Sequence, residues 1–162
     1  MINQILLEMI NYNAYDSKRI NHALKVHSYS KIIGKSEDLL EEELMTLEIA
    51  SILHDIGIKE CVIKYKSTNG FLQQIEGPKV AKQILKRYSL NDSIEKRILY
   101  LIGNHHSYKN IDGLDYQILL EADLIVNTQE GYISKYAFFN AVNILFKTES
   151  SKNIANLVID KL

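Results

Sequence analysis

Residues 47–57 read LEIASILHDIG, an apolar stretch that ends in the adjacent pair His54-Asp55 and in Gly57. Its small and apolar residues recur every three or four positions, which predicts one face of a buried helix that Gly57 ends. That face consists of Leu47, Ala50, Ser51 and His54. An adjacent imidazole and carboxylate are costly to bury unless a cation binds both. Because these groups are usual ligands of divalent metals, the stretch predicts a metal site at a helix end.

Helical periodicity continues along the chain, and no segment shows a convincing strand alternation. The pattern predicts an all-α protein, a single helical-bundle domain over residues 1–162 with about seven to eight helices. The predicted helices cover about residues 2–12, 17–33, 41–57, 78–88, 92–102, 114–123, 132–146 and 151–161.

Local signals set several of these boundaries. Asp16 or Ser17 is the expected cap of the second helix, and Gly34 its expected stop. Pro78 is expected at the first position of the fourth helix. Residues 58–76 are expected to be less regular, with a turn at Ser67-Thr68-Asn69-Gly70, and residues 105–113 are expected to form a loop.

The composition of the chain excludes several classes of protein and of site. The chain has 162 residues, of which 46% are hydrophobic and 24% charged, and its net charge of −1 favours neither a nucleic-acid nor a membrane surface. The single cysteine, Cys61, excludes an internal disulfide and an all-thiolate zinc site. The start of the chain lacks signal-peptide features, and no apolar run approaches the ~20 residues of a membrane span. We therefore expect a cytoplasmic protein.

Further histidine and acidic residues accompany the His-Asp pair. His22 shares a predicted inward face with Val26 and Ile33, whereas His27 lies about 140° around the helix and is a weaker ligand candidate. Asp123 has apolar helical neighbours and therefore needs a partner for its carboxylate. Glu121 has similar neighbours, and spacing alone does not decide between these two carboxylates.

The order His22, His54-Asp55, Asp123 resembles the HD-domain metal-dependent phosphohydrolase superfamily. The resemblance covers about residues 19–127. Its matching segments are RINHALKVHSYSKII, IASILHDIGIKE, LIGNHH and LLEADLIVN. It implies an all-helical fold around a divalent metal that is held by His22, His54, Asp55 and Asp123.

The same resemblance suggests a second metal. Some branches of the superfamily bind one through additional histidines, which His105 and His106 match here. Glu76 lies close to where another such branch has a histidine. Alternatively, His105 and His106 contact substrate and not metal. The resemblance thus implies one or two divalent ions per chain, from among Mn, Fe, Co, Ni, Zn and Mg.

The resemblance implies hydrolysis of a phosphomonoester or phosphodiester, with a nucleotide as the expected substrate. Asp55 would bridge two metals or accept a proton from water, and His105 or His106 would protonate the leaving oxygen. The family often places a lysine directly after His-Asp-Ile-Gly. Here Ile58 intervenes and Lys59 follows, which departs from that pattern by one position; the role that the resemblance implies for Lys59 is a phosphate contact.

Two other functions remain open from the sequence. Some members of the superfamily are di-iron oxygenases, and a non-catalytic nucleotide-binding module would use the same residues. Aromatic residues near the end of the chain predict core packing or a homodimer contact. These residues are Tyr132, Tyr136, Phe139 and Phe146.

Overall fold

The computed structural model of the protein describes residues 1–159. This part of the chain forms nine α-helices and no β-strand, which confirms the all-α class. The helices are α1 (Ile2–Tyr12), α2 (Ser17–Ser36), α3 (Glu41–Leu53), α4 (Ile58–Tyr65), α5 (Gly70–Leu85), α6 (Asp92–Asn104), α7 (Leu114–Gln129), α8 (Lys135–Leu145) and α9 (Glu149–Val158). Among these described helices, none has both the length and the apolar character that crossing a membrane requires.

Two helices, α3 and α7, form the centre of the bundle. α3 packs against α1, α2, α6 and α7, and every residue from Thr46 to Leu53 is buried. α7 is buried along nearly its whole length and also contacts α2, α8 and α9. A helix that is apolar on most sides is stable only inside a protein, because exposing it would return that area to water. The central helices therefore bring polar side chains such as Glu48, Glu121 and Asp123 into the interior.

The predicted start of α2 is confirmed, but its predicted end is wrong. Asp16 is the N-cap, since its carboxylate accepts a hydrogen bond from the backbone N–H of Arg19 at 3.1 Å. Gly34 does not stop the helix, which continues to Ser36. Gly34 is instead buried against side chains of α3 and serves the packing of the two helices.

Residues 58–76 are more helical than predicted, although the predicted turn coincides with a break in helix over residues 66–69. They contain α4 and the first part of α5, which begins at Gly70 and has Pro78 in its interior. Asn69 caps α5 by accepting a hydrogen bond from the backbone N–H of Phe71 at 2.9 Å. Pro78 deprives one helical carbonyl of its donor without ending the helix. The asparagine cap, not the proline, marks where α5 begins.

The remaining helices are confirmed with shifted ends. α6 extends to Asn104, and α7 continues beyond Asp123 to Gln129. α8 is shorter than predicted at both ends, and α9 begins two residues earlier than predicted, at Glu149; the predicted end of α9, residue 161, lies outside the described residues. The predicted aromatic stripe does not behave as one core surface: Phe146 is buried and Phe139 half-buried, but Tyr132 and Tyr136 are exposed. A homodimer contact stays a prediction.

Candidate metal centre

The His-Asp pair lies in a turn directly after α3. The helix ends at Leu53, before the pair and not at Gly57 as predicted. Nδ1 of His54 donates to the carbonyl oxygen of Ser51 at 2.8 Å, which leaves Nε2 as the free ligand nitrogen. Gly57 lies against the backbone of α5, where a Cβ atom would come within 2.5 Å of the Gly77 nitrogen. A close helix approach, and not helix termination, therefore requires glycine at this position.

Three side chains from separate elements form a first cluster. Nε2 of His22, on α2, lies 3.2 Å from Nε2 of His54 and 3.1 Å from Oδ1 of Asp123, on α7. The remaining distance, from Nε2 of His54 to Oδ1 of Asp123, is 3.6 Å. All three residues are buried. Two imidazoles and a carboxylate whose ligand atoms converge in this way could hold one divalent cation.

A second cluster consists of Asp55, His105 and His106, whose ligand atoms all lie within 4.8 Å of one another. Nδ1 of His105 donates to the carbonyl oxygen of Ile102 at 2.7 Å, so that Nε2 is again the free nitrogen. The Nε2 atoms of His105 and His106 are buried and have no hydrogen-bond partner among residues 1–159. Because buried polar atoms are normally satisfied, these two nitrogens indicate a ligand.

Asp55 connects the two clusters. Its Oδ2 lies 3.6 Å from Nε2 of both His22 and His54, and its Oδ1 lies 3.3 Å from Nε2 of His105. Each oxygen thus faces a different set of imidazoles. This is the arrangement that a carboxylate needs in order to bridge two cations.

The electrostatics of the centre also fit a cation. Burial alone would lower the pKa of His22, but the hydrogen bond to Asp123 and the charge of Asp55 raise it to about 9. Burial alone would raise the pKa of Asp123, but the hydrogen bond with His22 and the nearby charge of His54 hold it well below its usual range. Without metal, protons on imidazoles therefore balance the buried carboxylates. A divalent cation would take over that charge balance.

Sequence reasoning missed Glu130, the residue that orients His22. Nδ1 of His22 donates to Oε2 of Glu130 at 2.9 Å, and Lys25 donates to the other carboxylate oxygen at 2.8 Å. Glu130 lies seven residues after Asp123, which is two helical turns along the same face. That spacing was the available signal, but it becomes informative only when α7 is known to continue past Asp123.

A cavity of about 350 Å³ opens onto both clusters. His22, Asp55, His106 and Asp123 contribute to its wall. The rest of the wall is mostly polar and comprises Asp16, Lys18, Arg19, Ile58, Thr68, Gln73, Asn127, Glu130 and Tyr132. The sequence did not single out Lys18 and Arg19, because only the start of α2 beside the cavity distinguishes them from other surface cations.

Two of the predicted site residues lie elsewhere. Nζ of Lys59 donates to the carbonyl oxygen of Tyr12 at 2.9 Å and lies over the Tyr12 ring, away from the cavity wall. Glu76 belongs to neither cluster. Lys64 and Lys79 donate to its carboxylate at 2.6 and 2.8 Å and lower the pKa of Glu76 to about 2. Glu76 therefore joins α4 to α5, and Lys59 fastens the start of α4 to α1.

The structure also separates the alternatives that spacing left open. Glu121 faces away from the clusters and accepts hydrogen bonds from Gln117 and from Thr148. His27 is buried against α3, where its Nε2 lies 2.8 Å from Oε2 of Glu48. Asp123 and His22 are thus the members of each pair that belong to the first cluster.

Comparisons with known proteins agree with this arrangement. The HD domain family model matches residues 19–137. A solved structure from an uncultured Thermotogales bacterium, described as a predicted HD superfamily hydrolase, superposes with a TM-score of 0.66 at 21% identity. The match covers 97% of this chain and 82% of the other. No curated protein matches the chain significantly. The family match spans most of the chain and includes both clusters, and the protein therefore belongs to the HD domain family.

Proposed function

We propose that this protein is a metal-dependent phosphohydrolase that cleaves a phosphomonoester or phosphodiester, with a nucleotide as the substrate. The observation that carries the proposal is the position of Asp55, between two clusters of metal-ligating side chains on the wall of one cavity. Membership of the HD domain family and the likeness to a structure described as a hydrolase support it.

The residues fit one or two divalent cations. His22, His54, Asp55 and Asp123 would hold the first, and Asp55, His105 and His106 would hold the second. When bound, such a cation lowers the pKa of a coordinated water and offsets the charge that develops on phosphorus. Mixed nitrogen and oxygen ligands suit Mn, Fe, Co, Ni or Zn, and Mg remains a candidate through the carboxylates.

Side chains around the cavity supply the substrate contacts. Lys18 and Arg19 place positive charge beside His22, where a phosphate would lie. Nε of Arg19 lies 3.2 Å from Oδ2 of Asp16, and this ion pair orients the guanidinium. The exposed ring of Tyr132 offers an aromatic surface on the same cavity for a nucleotide base.

The two histidines of the second cluster differ in how well they suit proton transfer. Burial and the neighbouring His105 lower the pKa of His106 to about 4. His106 is therefore neutral at pH 7 and suited to bind a cation, but it is not a ready proton donor. Burial alone would raise the pKa of Asp55, but the charges of His54 and His105 hold it well below its usual range. Asp55 is therefore ionised and suited to bind cations, whereas as a proton acceptor it would be weak.

The test is a panel of nucleotides and simple phosphate esters, incubated with protein that was purified without chelator and loaded with each candidate metal. We expect phosphate or nucleoside release that stops on metal removal. Asp55→Asn should lower the rate by at least about 100-fold, because it removes the carboxylate proposed to bind both cations, and even residues that only orient a ligand account for about 10- to 100-fold. Glu8→Gln, which removes a surface carboxylate bound to Arg87, is the control. Wild-type turnover by Asp55→Asn would refute the assignment.

The histidine-rich second cluster supports one alternative, a di-iron oxygenase. That function predicts two irons per chain, visible absorption and oxygen consumption with an organic substrate. A non-catalytic nucleotide-binding module predicts binding without turnover under every metal. Phosphate release with a colourless metal would dispose of both alternatives.

A further inference from the structure

Gly70, the first residue of α5, lies directly against the imidazole of His106. A Cβ atom at position 70 would be 2.8 Å from both Cγ and Cδ2 of that ring and 3.2 Å from its Nε2. Separations under 3.0 Å are too short for carbon atoms that are not bonded to each other. Any residue other than glycine therefore requires the ring or the start of α5 to move.

The backbone of Gly70 does not itself require glycine. The glycines with positive φ among residues 1–159 are Gly113 and Gly131, so an alanine could adopt the conformation of Gly70. Alanine is also the better helix former in general. The absence of a side chain at this position thus serves the contact with His106.

His106 depends on such contacts more than the other histidines of the centre do. Nδ1 of His54 and of His105 each donate to a backbone carbonyl, which fixes the ring orientation. Among residues 1–159, no hydrogen bond anchors the His106 ring. Its ring is restrained by packing against His105, with centroids 4.0 Å apart, and against Gly70.

We infer that Gly70 is a positioning residue, which by lacking a side chain allows the His106 ring to direct Nε2 into the cluster with Asp55 and His105. A methyl group at position 70 would displace the ring from that cluster. The consequence for cation binding rests on the proposed function, whereas the displacement of the ring does not.

The direct test is NMR spectroscopy of metal-free protein with labelled histidines. In the wild type, we expect a nuclear Overhauser effect between the Hα protons of Gly70 and Hδ2 of His106. In Gly70→Ala the His106 ring resonances should shift, while those of His27 stay in place. Gly34→Ala is the matched control, because its Cβ would meet the flexible ends of Leu44 and Leu39 and no histidine.

Cation titration supplies the second readout. If the second cluster binds a cation, Gly70→Ala should lower the affinity for that ion by about 10- to 100-fold, the range for residues that orient a ligand. The affinity of the first cluster for its ion should not change. His106→Ala should lose the same ion. A wild type that binds no second cation would contradict the two-metal part of the proposed function, while the NMR result still decides the role of Gly70.

A double-mutant cycle covers the case in which Gly70→Ala folds poorly. Once His106→Ala has removed the ring, adding Gly70→Ala should cost no stability, because the methyl group has nothing to displace. Equal destabilisation in both backgrounds would overturn the inference. Unchanged His106 resonances in Gly70→Ala would overturn it as well.

Discussion

Glu130 and His22 are 108 residues apart in the chain, yet Nδ1 of His22 donates to Oε2 of Glu130 at 2.9 Å. This hydrogen bond fixes which imidazole nitrogen carries the proton when the ring is neutral. It thereby turns Nε2 toward His54 and Asp123. The carboxylate–histidine pair is a common second layer around protein-bound metals.

Glu130→Ala should therefore weaken binding of the first cation by about 10- to 100-fold without unfolding the protein. The lost carboxylate leaves His22 free to rotate, and Lys25 can turn to solvent. Isothermal titration calorimetry with Mn²⁺ or Zn²⁺ measures the effect, with Glu8→Ala as the control. Unchanged affinity would show that Glu130 does not orient the ligand.

Cation binding should release protons at neutral pH. The pKa of His22 in the metal-free protein is raised to about 9 by Asp123 and Asp55 despite burial, so the ring carries a proton that the metal must displace. Affinity should rise with pH up to about 9, by at most tenfold per pH unit for each proton released. Calorimetry in buffers of different ionisation enthalpy counts these protons. Affinity that does not depend on pH between 7 and 9 would contradict the protonated state.

The raised pKa of His22 also predicts how the stability of the metal-free protein depends on pH. A pKa raised from 6.5 to about 9 gives stability that is complete below pH 6.5 and is lost as pH rises through 9. The free energy of unfolding should fall by no more than about 1.4 kcal/mol per pH unit. Denaturant unfolding with chelator present measures the slope. His22→Gln should flatten it, and a slope that persists in this variant would assign the effect to another group.

Glu121 should contribute to the stability of the fold and not to metal binding. Its buried carboxylate accepts hydrogen bonds from the Thr148 hydroxyl at 2.5 Å and from the side chain of Gln117 at 2.7 Å. Glu121→Ala should lower the free energy of unfolding by at least about 2 kcal/mol, because hydrogen bonds to a charged group are lost. Metal content by elemental analysis should equal that of the wild type. The comparison is Asp123→Ala, which should lose the first cation.

Glu76→Gln separates a packing role from a ligand role at that position. The amide keeps the size of the side chain but loses the charge that attracts Lys64 and Lys79. We expect about 1 to 3 kcal/mol of lost stability, the range for hydrogen bonds to charged groups, with unchanged metal content. Loss of one metal ion with unchanged stability would restore Glu76 as a ligand.

Strongly periodic segments were predictable from the sequence, and segments with conflicting local signals were not. The bounds of α1 and the start of α3 agree with the prediction. The prediction that α5 begins at Pro78 was wrong, because Pro78 lies inside the helix. Proline is tolerated there when the surrounding packing compensates for the lost hydrogen bond. The Asn69 cap was the better signal for where that helix starts.

The order of histidine and aspartate residues predicted the family and, through that resemblance, the members of the first cluster. For the second cluster it offered His105 and His106 but also Glu76, which the structure places elsewhere. Gly70 and the positively charged Lys18 and Arg19 beside the cavity came from the tertiary structure alone, and the spacing of Glu130 from Asp123 became informative only once the structure showed where α7 ends. A hydrogen bond across 108 residues leaves no local pattern in the chain, and neither does contact of a glycine with a ring. Likewise, only the packing of α7 decided that Asp123 faces the centre while Glu121 holds Thr148. Both residues have similar apolar neighbours, and the direction in which each carboxylate points depends on which helices lie against it.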